Sequence, residues 1–290
     1  MTNDGTPNAL LATTNDELDT ALAEARANHR TIAFVPTMGA LHEGHLSLIE
    51  RARSLADIVV VSIFVNPKQF GANEDFDRYP RTLETDLAAI GDKADLVFAP
   101  TVDQIYPPDQ TVPAQSAGPV GNTFEGKARP GHFDGMLTVV ARLFYLVRPD
   151  VAVFGEKDAQ QLFLIRRLAA SHYPNLRIIG ADTVREANGV ARSSRNRYLN
   201  AEQFEIAEIL PLTLATLDHK LREGFPPSAA LELGRAMIEP EPETKLDYLA
   251  LVDPASFEPV GEDFSGEALL IVAAIIGGVR LIDNHQVSIP

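Results

Sequence analysis

Two histidines three residues apart, His42 and His45, stand in the segment PTMGALHEGH (Pro36 to His45), with Gly39 and Gly44 beside them. The glycines permit a tight turn into a helix, and the spacing puts both imidazoles on one side of that helix's N-terminus. Unpaired N–H groups and the macrodipole favour anions there. Two imidazoles so placed can donate hydrogen bonds to the oxygens of a triphosphate and to the charge that develops as pyrophosphate leaves. A pair of surface or capping histidines would satisfy the same spacing, as would two ligands of a metal. The metal reading has little behind it: the spacing is not that of the HExxH metalloproteases, and the chain has no cysteine.

Further polar clusters follow other apolar runs. NPKQF (Asn66 to Phe70) follows Ile58 to Val65, and GEKDAQQ (Gly155 to Gln161) follows Val151 to Phe154. Lys157 and Asp158 could be an exposed ion pair at a helix start, with Asp158 as its cap. A lysine there could equally stabilise charge on a phosphate. Gln69 and Gln161 offer amides that donate to a carboxylate and accept from a hydroxyl without adding charge. Two basic stretches stand out: Lys127, Arg129 and His132, then Arg185, Arg192, Arg195 and Arg197. Either could be a solvated surface or part of a pocket for a compact anion.

The elements that must position these residues alternate regularly. Strands are expected at 31–35, 58–65, 95–98, 151–154 and 176–179, with helices at 17–28, 43–56, 82–90, 135–147 and 159–170. The strands are nearly unbroken Val and Ile, as in a parallel sheet covered on both faces. Strand, crossover helix and strand in succession make a doubly wound α/β sheet, whose ligands bind beyond the carboxyl ends of the strands. Past about residue 184 the pattern becomes helices at 202–222 and 228–238, then strands at 245–252, 268–276 and 279–283. That predicts two domains, 1–183 and a smaller α+β domain at 184–290, after a loose tail over residues 1–15.

With 290 residues, 45% hydrophobic and 22% charged, the composition is that of an ordinary globular protein. A formal charge of −15 argues against general nucleic-acid binding, which needs a basic face. The first thirty residues lack the basic start and apolar stretch of a secretory signal. The longest apolar run, Ala268 to Ile276, is about half of a bilayer-spanning helix. The absence of cysteine fits a reducing compartment, and the expectation is a cytoplasmic protein with no membrane partner.

PTMGALHEGH, SIFVNPKQF, GKARPGHFDGM, FGEKDAQQ and SSRNRYL, in this order and spacing, resemble the pantothenate synthetase family of the HxGH nucleotidyltransferases. The likeness runs from Thr31 to Leu199, and more loosely to the C-terminus through LLIVAAIIGGVRLIDN. It implies a Rossmann-like domain with a C-terminal lid, a homodimer, and ATP with Mg2+. The implied reaction joins pantoate and β-alanine through a pantoyl adenylate, releasing AMP and pyrophosphate.

Carried over by motif, His42, His45 and Lys157 become the catalytic phosphate contacts. Asp158 takes the ribose, while Ser193, Ser194 and Arg195 match the loop over the β- and γ-phosphates. Pro36, Met38, Gly155 and Val184 complete the ATP set. Gln69 and Gln161 hold pantoate, joined on the substrate side by Asn66 and Arg129; Asp86, outside the motifs, is a candidate for magnesium or an exposed helix acid. Arg129 and His132 fall in a segment resembling a flexible cover, which an acyl-adenylate needs against water. Arg192 departs from the pattern, standing where Met or Leu is expected beside the adenine. No general base for β-alanine is evident, although His45 has the right neighbourhood. Two other readings fit the same residues: a transferase of AMP or CMP to a phosphorylated acceptor, and a nucleotide-binding protein without turnover.

Overall fold

β2 (Ile32–Thr37) and β3 (Ile58–Ile63) are the centre of the molecule's larger sheet, and nearly every residue in them is buried. They belong to a computed structural model that describes residues 9–71, 76 and 79–290. The chain divides into two compact units, one of residues 1–156 and 164–181, the other of residues 157–163 and 182–290.

In the first unit β1 (Leu10–Ala12) leads to α1 (Asn15–Ala27), whose N-terminus carries a capping box from Thr14 and Glu17. Then come β2, α2 (Glu43–Arg53), β3, α3 (Leu83–Ile90) and β4 (Leu96–Phe98). Three further helices follow, α4 (Val102–Ile105), α5 (Phe124–Ala128) and α6 (His132–Val147). The unit closes with β5 (Val151–Gly155), α7 (Ala159–His172) and β6 (Arg177–Ala181), although the first turn of α7 groups with the second unit. All six strands are parallel, in the order β1-β4-β3-β2-β5-β6. The order reverses between β2 and β5, which makes that crevice the switch point where open α/β sheets bind ligands.

Alternation along β2 explains why both faces are covered. Ala33 and Val35 pack with Leu48 and Ile49 of α2 and Ile90 of α3. Phe34, pointing the other way, makes an edge-on ring contact with Phe144 of α6, 6.4 Å between centroids. The doubly wound parallel sheet expected from the sequence is therefore present.

The second unit holds α8 (Ala201–Ile206), α9 (Ile209–Arg222) and α10 (Pro227–Ile238), then β7 (Thr244–Val252), β8 (Gly266–Ile276) and β9 (Val279–Ile289). The three strands form an antiparallel sheet in chain order. Gly277 and Gly278, with φ of 54° and 85°, make the two-residue turn between β8 and β9. Leu214, Leu217 and Leu221 of α9 bury their apolar stripe against Leu270, Val272 and Leu281 of this sheet.

Several boundaries differ from the sequence reading. Of the expected tail, residues 1–8 lie outside the described residues, but Leu10–Ala12 is an edge strand paired with β4. The single helix expected at 202–222 is two, because Pro211 has no N–H and would clash with the preceding turn of a continuous helix; it lies in the first turn of α9 instead. β9 continues to Ile289 instead of stopping at Asp283, and α6 begins at His132, after Gly131 takes φ of 80°.

Candidate active site

The turn after β2 delivers the histidine pair in a defined protonation state. His42 is the N-cap of α2, and its Nδ1 accepts from the backbone N–H of Gly44 at 3.1 Å. His45, at the third helical position, returns the bond: its Nδ1 accepts from the backbone N–H of His42 at 3.3 Å. This is a capping box built from imidazoles instead of a hydroxyl and a carboxylate. A ring whose Nδ1 accepts must be neutral and carry its proton on Nε2. The cap therefore turns both rings into Nε2–H donors, 4.2 Å apart between centroids. The readings of capping pair and anion-gripping pair are not alternatives, since one nitrogen of each ring caps the helix and the other is a donor.

The turn itself is held from below. Gly39 has φ of 83°, and Ala40, which is not glycine, has φ of 52°. Asp86 of α3, 2% exposed, accepts from Leu41 N at 2.8 Å, Ala40 N at 3.1 Å and the Thr82 hydroxyl at 3.1 Å. Thr37 contributes through its hydroxyl, which donates to Ser62 O and accepts from Gly39 N. Magnesium does not fit Asp86, because both carboxylate oxygens already accept protein donors inside the protein.

The turn after β3 presents Gln69 within a chain of directed hydrogen bonds. Asn66 Nδ2 donates to Gln69 Oε1 at 3.2 Å and to Gly135 O at 3.1 Å. Asn66 Oδ1 accepts from Lys68 N at 3.2 Å and from the Tyr106 hydroxyl at 2.9 Å. The N–H of Lys68 and the carbonyl of Gly135 fix which way the Asn66 amide faces, and Asn66 in turn fixes Gln69 with its oxygen inward. Gln69 Nε2 then points at the thioether of Met38, 2.7 Å away, a weak acceptor that a carboxylate oxygen would readily replace. Asn66, 1% exposed, thus holds the Gln69 amide in place from inside the protein.

Gly135 makes this packing possible, since a Cβ there would fall 2.0 Å from Lys68 O. Burial pushes the Tyr106 phenol far above its ordinary pKa, so it stays a donor.

Arg129 and His132 meet the same turn. Arg129 Nη1 lies 3.0 Å from His132 Nε2, and His132 Nδ1 lies 2.8 Å from Gln69 O. A guanidinium only donates, so Nε2 accepts and Nδ1–H donates to the Gln69 carbonyl. His132 is therefore a strut under the glutamine, and the α5–α6 segment is tied to the turn after β3.

The second unit carries its own cluster. Lys157 Nζ is 3.7 Å from Asp158 Oδ1, and the backbone oxygen of Asp158 accepts from Leu162 N, opening α7 ahead of half-buried Gln161. Asn284 of β9 donates to the Lys157 carbonyl at 2.9 Å. The neighbouring Asp283, 4% exposed, accepts both guanidinium nitrogens of Arg185 at 2.7 and 2.9 Å.

Val184 and Arg192 close a backbone turn through Arg192 N and Val184 O at 2.9 Å. The Arg192 guanidinium meets Glu186 at 3.2 Å, which gives that unexpected arginine a partner of its own. Ser193 Oγ caps the short turn of Ser194–Tyr198 by accepting from Arg195 N at 3.2 Å, and Arg195 itself is exposed. Sequence reasoning missed Tyr106, Asn284 and Asp283, whose roles come from pairings across 40, 127 and 98 residues of chain. No local pattern marks such partners.

A doubly wound sheet whose switch-point turn opens a helix with paired donors is an arrangement in which α/β enzymes bind phosphates. Residues 10–286 match the profile of the family described as pantoate-beta-alanine ligase. A pantothenate synthetase of Acidothermus cellulolyticus is 52% identical over 285 residues, 97% of this chain and 92% of that one. The crystal structure of pantothenate synthetase from Thermus thermophilus superposes with a TM-score of 0.89 at 44% identity, covering 97% of this chain and 100% of that one. That of a pantoate-beta-alanine ligase from Francisella tularensis, complexed with beta-gamma ATP and beta-alanine, gives 0.75 at 35% identity over 96% and 97% of the two chains. The chain belongs to the pantoate-beta-alanine ligase family and is a ligase of that class.

Proposed function

We propose that this chain condenses pantoate with β-alanine in two steps, forming a pantoyl adenylate and pyrophosphate first, then pantothenate and AMP. The observation that carries this reading is the imidazole capping box, which makes His42 and His45 neutral Nε2–H donors at a helix N-terminus. Donors so fixed stabilise the charge that grows on phosphate oxygens as the carboxylate attacks, without reorganising during the step.

Lys157 supplies a positive charge to the α-phosphate, Asp158 accepts from the ribose, and Ser193, Ser194 and Arg195 serve the β- and γ-phosphates. Pro36, Met38, Gly155 and Val184 line the nucleotide through backbone and apolar contacts. Gln69 donates its amide to pantoate, a role supported by its inward-facing oxygen, and Gln161 is its counterpart. Pantoate is already a carboxylate at neutral pH, so the first step needs no base.

The second step needs β-alanine as a free amine, and neither His42 nor His45 in its capping tautomer offers an outward lone pair. The amine therefore enters deprotonated or loses its proton to water or phosphate. Magnesium comes with the nucleotide, and no protein ligand is assigned to it. The enzyme works as a cytoplasmic homodimer; no helix of the described residues is long and apolar enough to cross a membrane.

The test is direct. Protein, ATP, magnesium and pantoate should release pyrophosphate, and β-alanine should then yield AMP and pantothenate in equal amounts. Pyrophosphate release with phosphorylated acceptors but not with pantoate would overturn the reading.

A further inference from the structure

Asp86 belongs to no motif that carries the resemblance, yet it is 2% exposed and makes three hydrogen bonds that converge on the segment before the histidine pair. The backbone it holds is one that an unsupported chain would leave. Ala40 sits at φ of 52°, where its Cβ is disfavoured, directly after Gly39 at φ of 83°. The carboxylate takes the two consecutive N–H groups, Ala40 and Leu41, that this left-handed bend turns inward. The space is also shaped around it, for a Cβ on Gly39 would lie 3.0 Å from Asp86 Oδ2. Leu41 is followed immediately by His42, whose φ of −138° and ψ of 174° start the cap. The bend therefore sets the direction in which both imidazoles leave the sheet.

We propose that Asp86 is a positioning residue: from inside the protein it holds the Gly39–Leu41 bend in its left-handed form, so that His42 and His45 are aimed before nucleotide arrives. This rests on the reading that those histidines grip phosphate oxygens. It replaces the role of magnesium ligand. A carboxylate 2% exposed, with both oxygens already accepting protein donors, lacks the open face that a hydrated magnesium ion needs.

Each oxygen has to accept for this, because each loop N–H group needs its own acceptor. Asp86→Asn keeps the shape but turns one oxygen into a donor. Whichever way the amide faces, the N–H of Ala40 or of Leu41 is left opposite another N–H. The strain offers a specific rescue, since glycine adopts positive φ without penalty. Ala40→Gly should make the bend hold itself.

The experiment uses the full chain, with thermal unfolding to confirm the fold of each variant. Wild-type turnover with pantoate and β-alanine tests the underlying reading. Against it, D86N should lower kcat about 10- to 100-fold, the loss expected for one buried N–H left without an acceptor. The magnesium concentration for half-maximal rate should stay within about twofold, and D86N with Ala40→Gly should recover about fivefold of the lost kcat. Should D86N unfold, Thr82→Val, which removes a single donor to the carboxylate, should lower kcat about twofold at unchanged magnesium requirement.

A magnesium requirement raised tenfold or more in either variant, with the rate restored by excess metal, would overturn the proposal. So would wild-type kcat in D86N, or no recovery with Ala40→Gly. If the wild type makes no pantothenate, the side-chain nitrogen NMR signals of His42 and His45 decide the matter alone. They should move in D86N and return in the double variant, and unmoved signals would overturn the proposal.

Discussion

The two groups of residues assigned to the nucleotide are built in opposite ways. In the first unit the turn after β2 is gripped on every side: Asp86 and Thr37 hold its backbone, and the two imidazoles cap the helix that follows. In the second unit Ser193 and Arg195 are held mainly by their own turn, through the Ser193 hydroxyl and the Arg195 amide, and Arg195 is exposed. Donors fixed in advance lower a barrier without reorganisation, whereas donors on a self-contained exposed turn can move to meet a charge. In the proposed reaction the first unit carries the preorganised part of the chemistry and the second the adaptable part.

The largest test of that contrast is at His42. His42→Ala removes both the cap and the donor, so kcat/KM for pyrophosphate release should fall about 100- to 1,000-fold, with about 1 kcal/mol of stability lost as well. His42→Asn keeps a capping oxygen and should recover the stability but not the rate. Calorimetric unfolding and pyrophosphate assays on both variants separate the two functions. If Asn restores turnover, the outward nitrogen has no role.

Next in size is the interior of the second unit. Asp283→Asn leaves the half-buried Arg185 guanidinium without its carboxylate, costing about 2–3 kcal/mol, less than a fully buried pair because Arg185 retains 31% side-chain exposure. Hydrogen exchange should quicken in β9 and around Lys157, whose carbonyl is bonded to the adjoining Asn284, while the amides of Ala40 and Leu41 keep their protection. Equal loosening of both regions would erase the distinction between the units.

Much of this was legible in the sequence. Unbroken apolar strands alternating with amphipathic helices gave the doubly wound sheet, and PTMGALHEGH with its glycines located the switch-point turn. What the pattern could not show is which hydrogen bonds a buried polar group spends on its neighbours. Asp86 and Asn66 read as candidates for a metal and a substrate, and no local pattern shows the protein groups they hold. Several of their partners are backbone N–H and C=O groups, which every residue has and no sequence marks. Arg192 departs from the family pattern, and its partner Glu186 is an ordinary surface acid until the turn between them is known.

A gentler probe addresses the direction of the Gln69 amide. Asn66→Asp is nearly isosteric, but it cannot donate to Gln69 Oε1 or to Gly135 O. The glutamine amide should turn to offer its NH2 inward, leaving its oxygen facing the carboxylate it is meant to hold. KM for pantoate should rise about tenfold, the worth of roughly one hydrogen bond, while KM for ATP changes little. An equal rise in both would mean that Asn66 supports the whole turn instead of the orientation of one side chain.

The smallest effect is expected where the second unit is most adaptable. The Arg192–Glu186 pair is partly exposed on both sides, at 31% and 32%, so Arg192→Met should cost under about 1 kcal/mol and shift unfolding only slightly. The backbone bond from Arg192 N to Val184 O does not depend on the side chain and should survive. If the arginine's role ends at Glu186, KM for ATP should change less than about threefold. A larger rise would show the guanidinium leaving Glu186 to stack on the adenine. That outcome would strengthen the contrast between the units, because a side chain that abandons one partner for the ligand is the behaviour an adaptable segment permits and the capped histidines of the first unit do not.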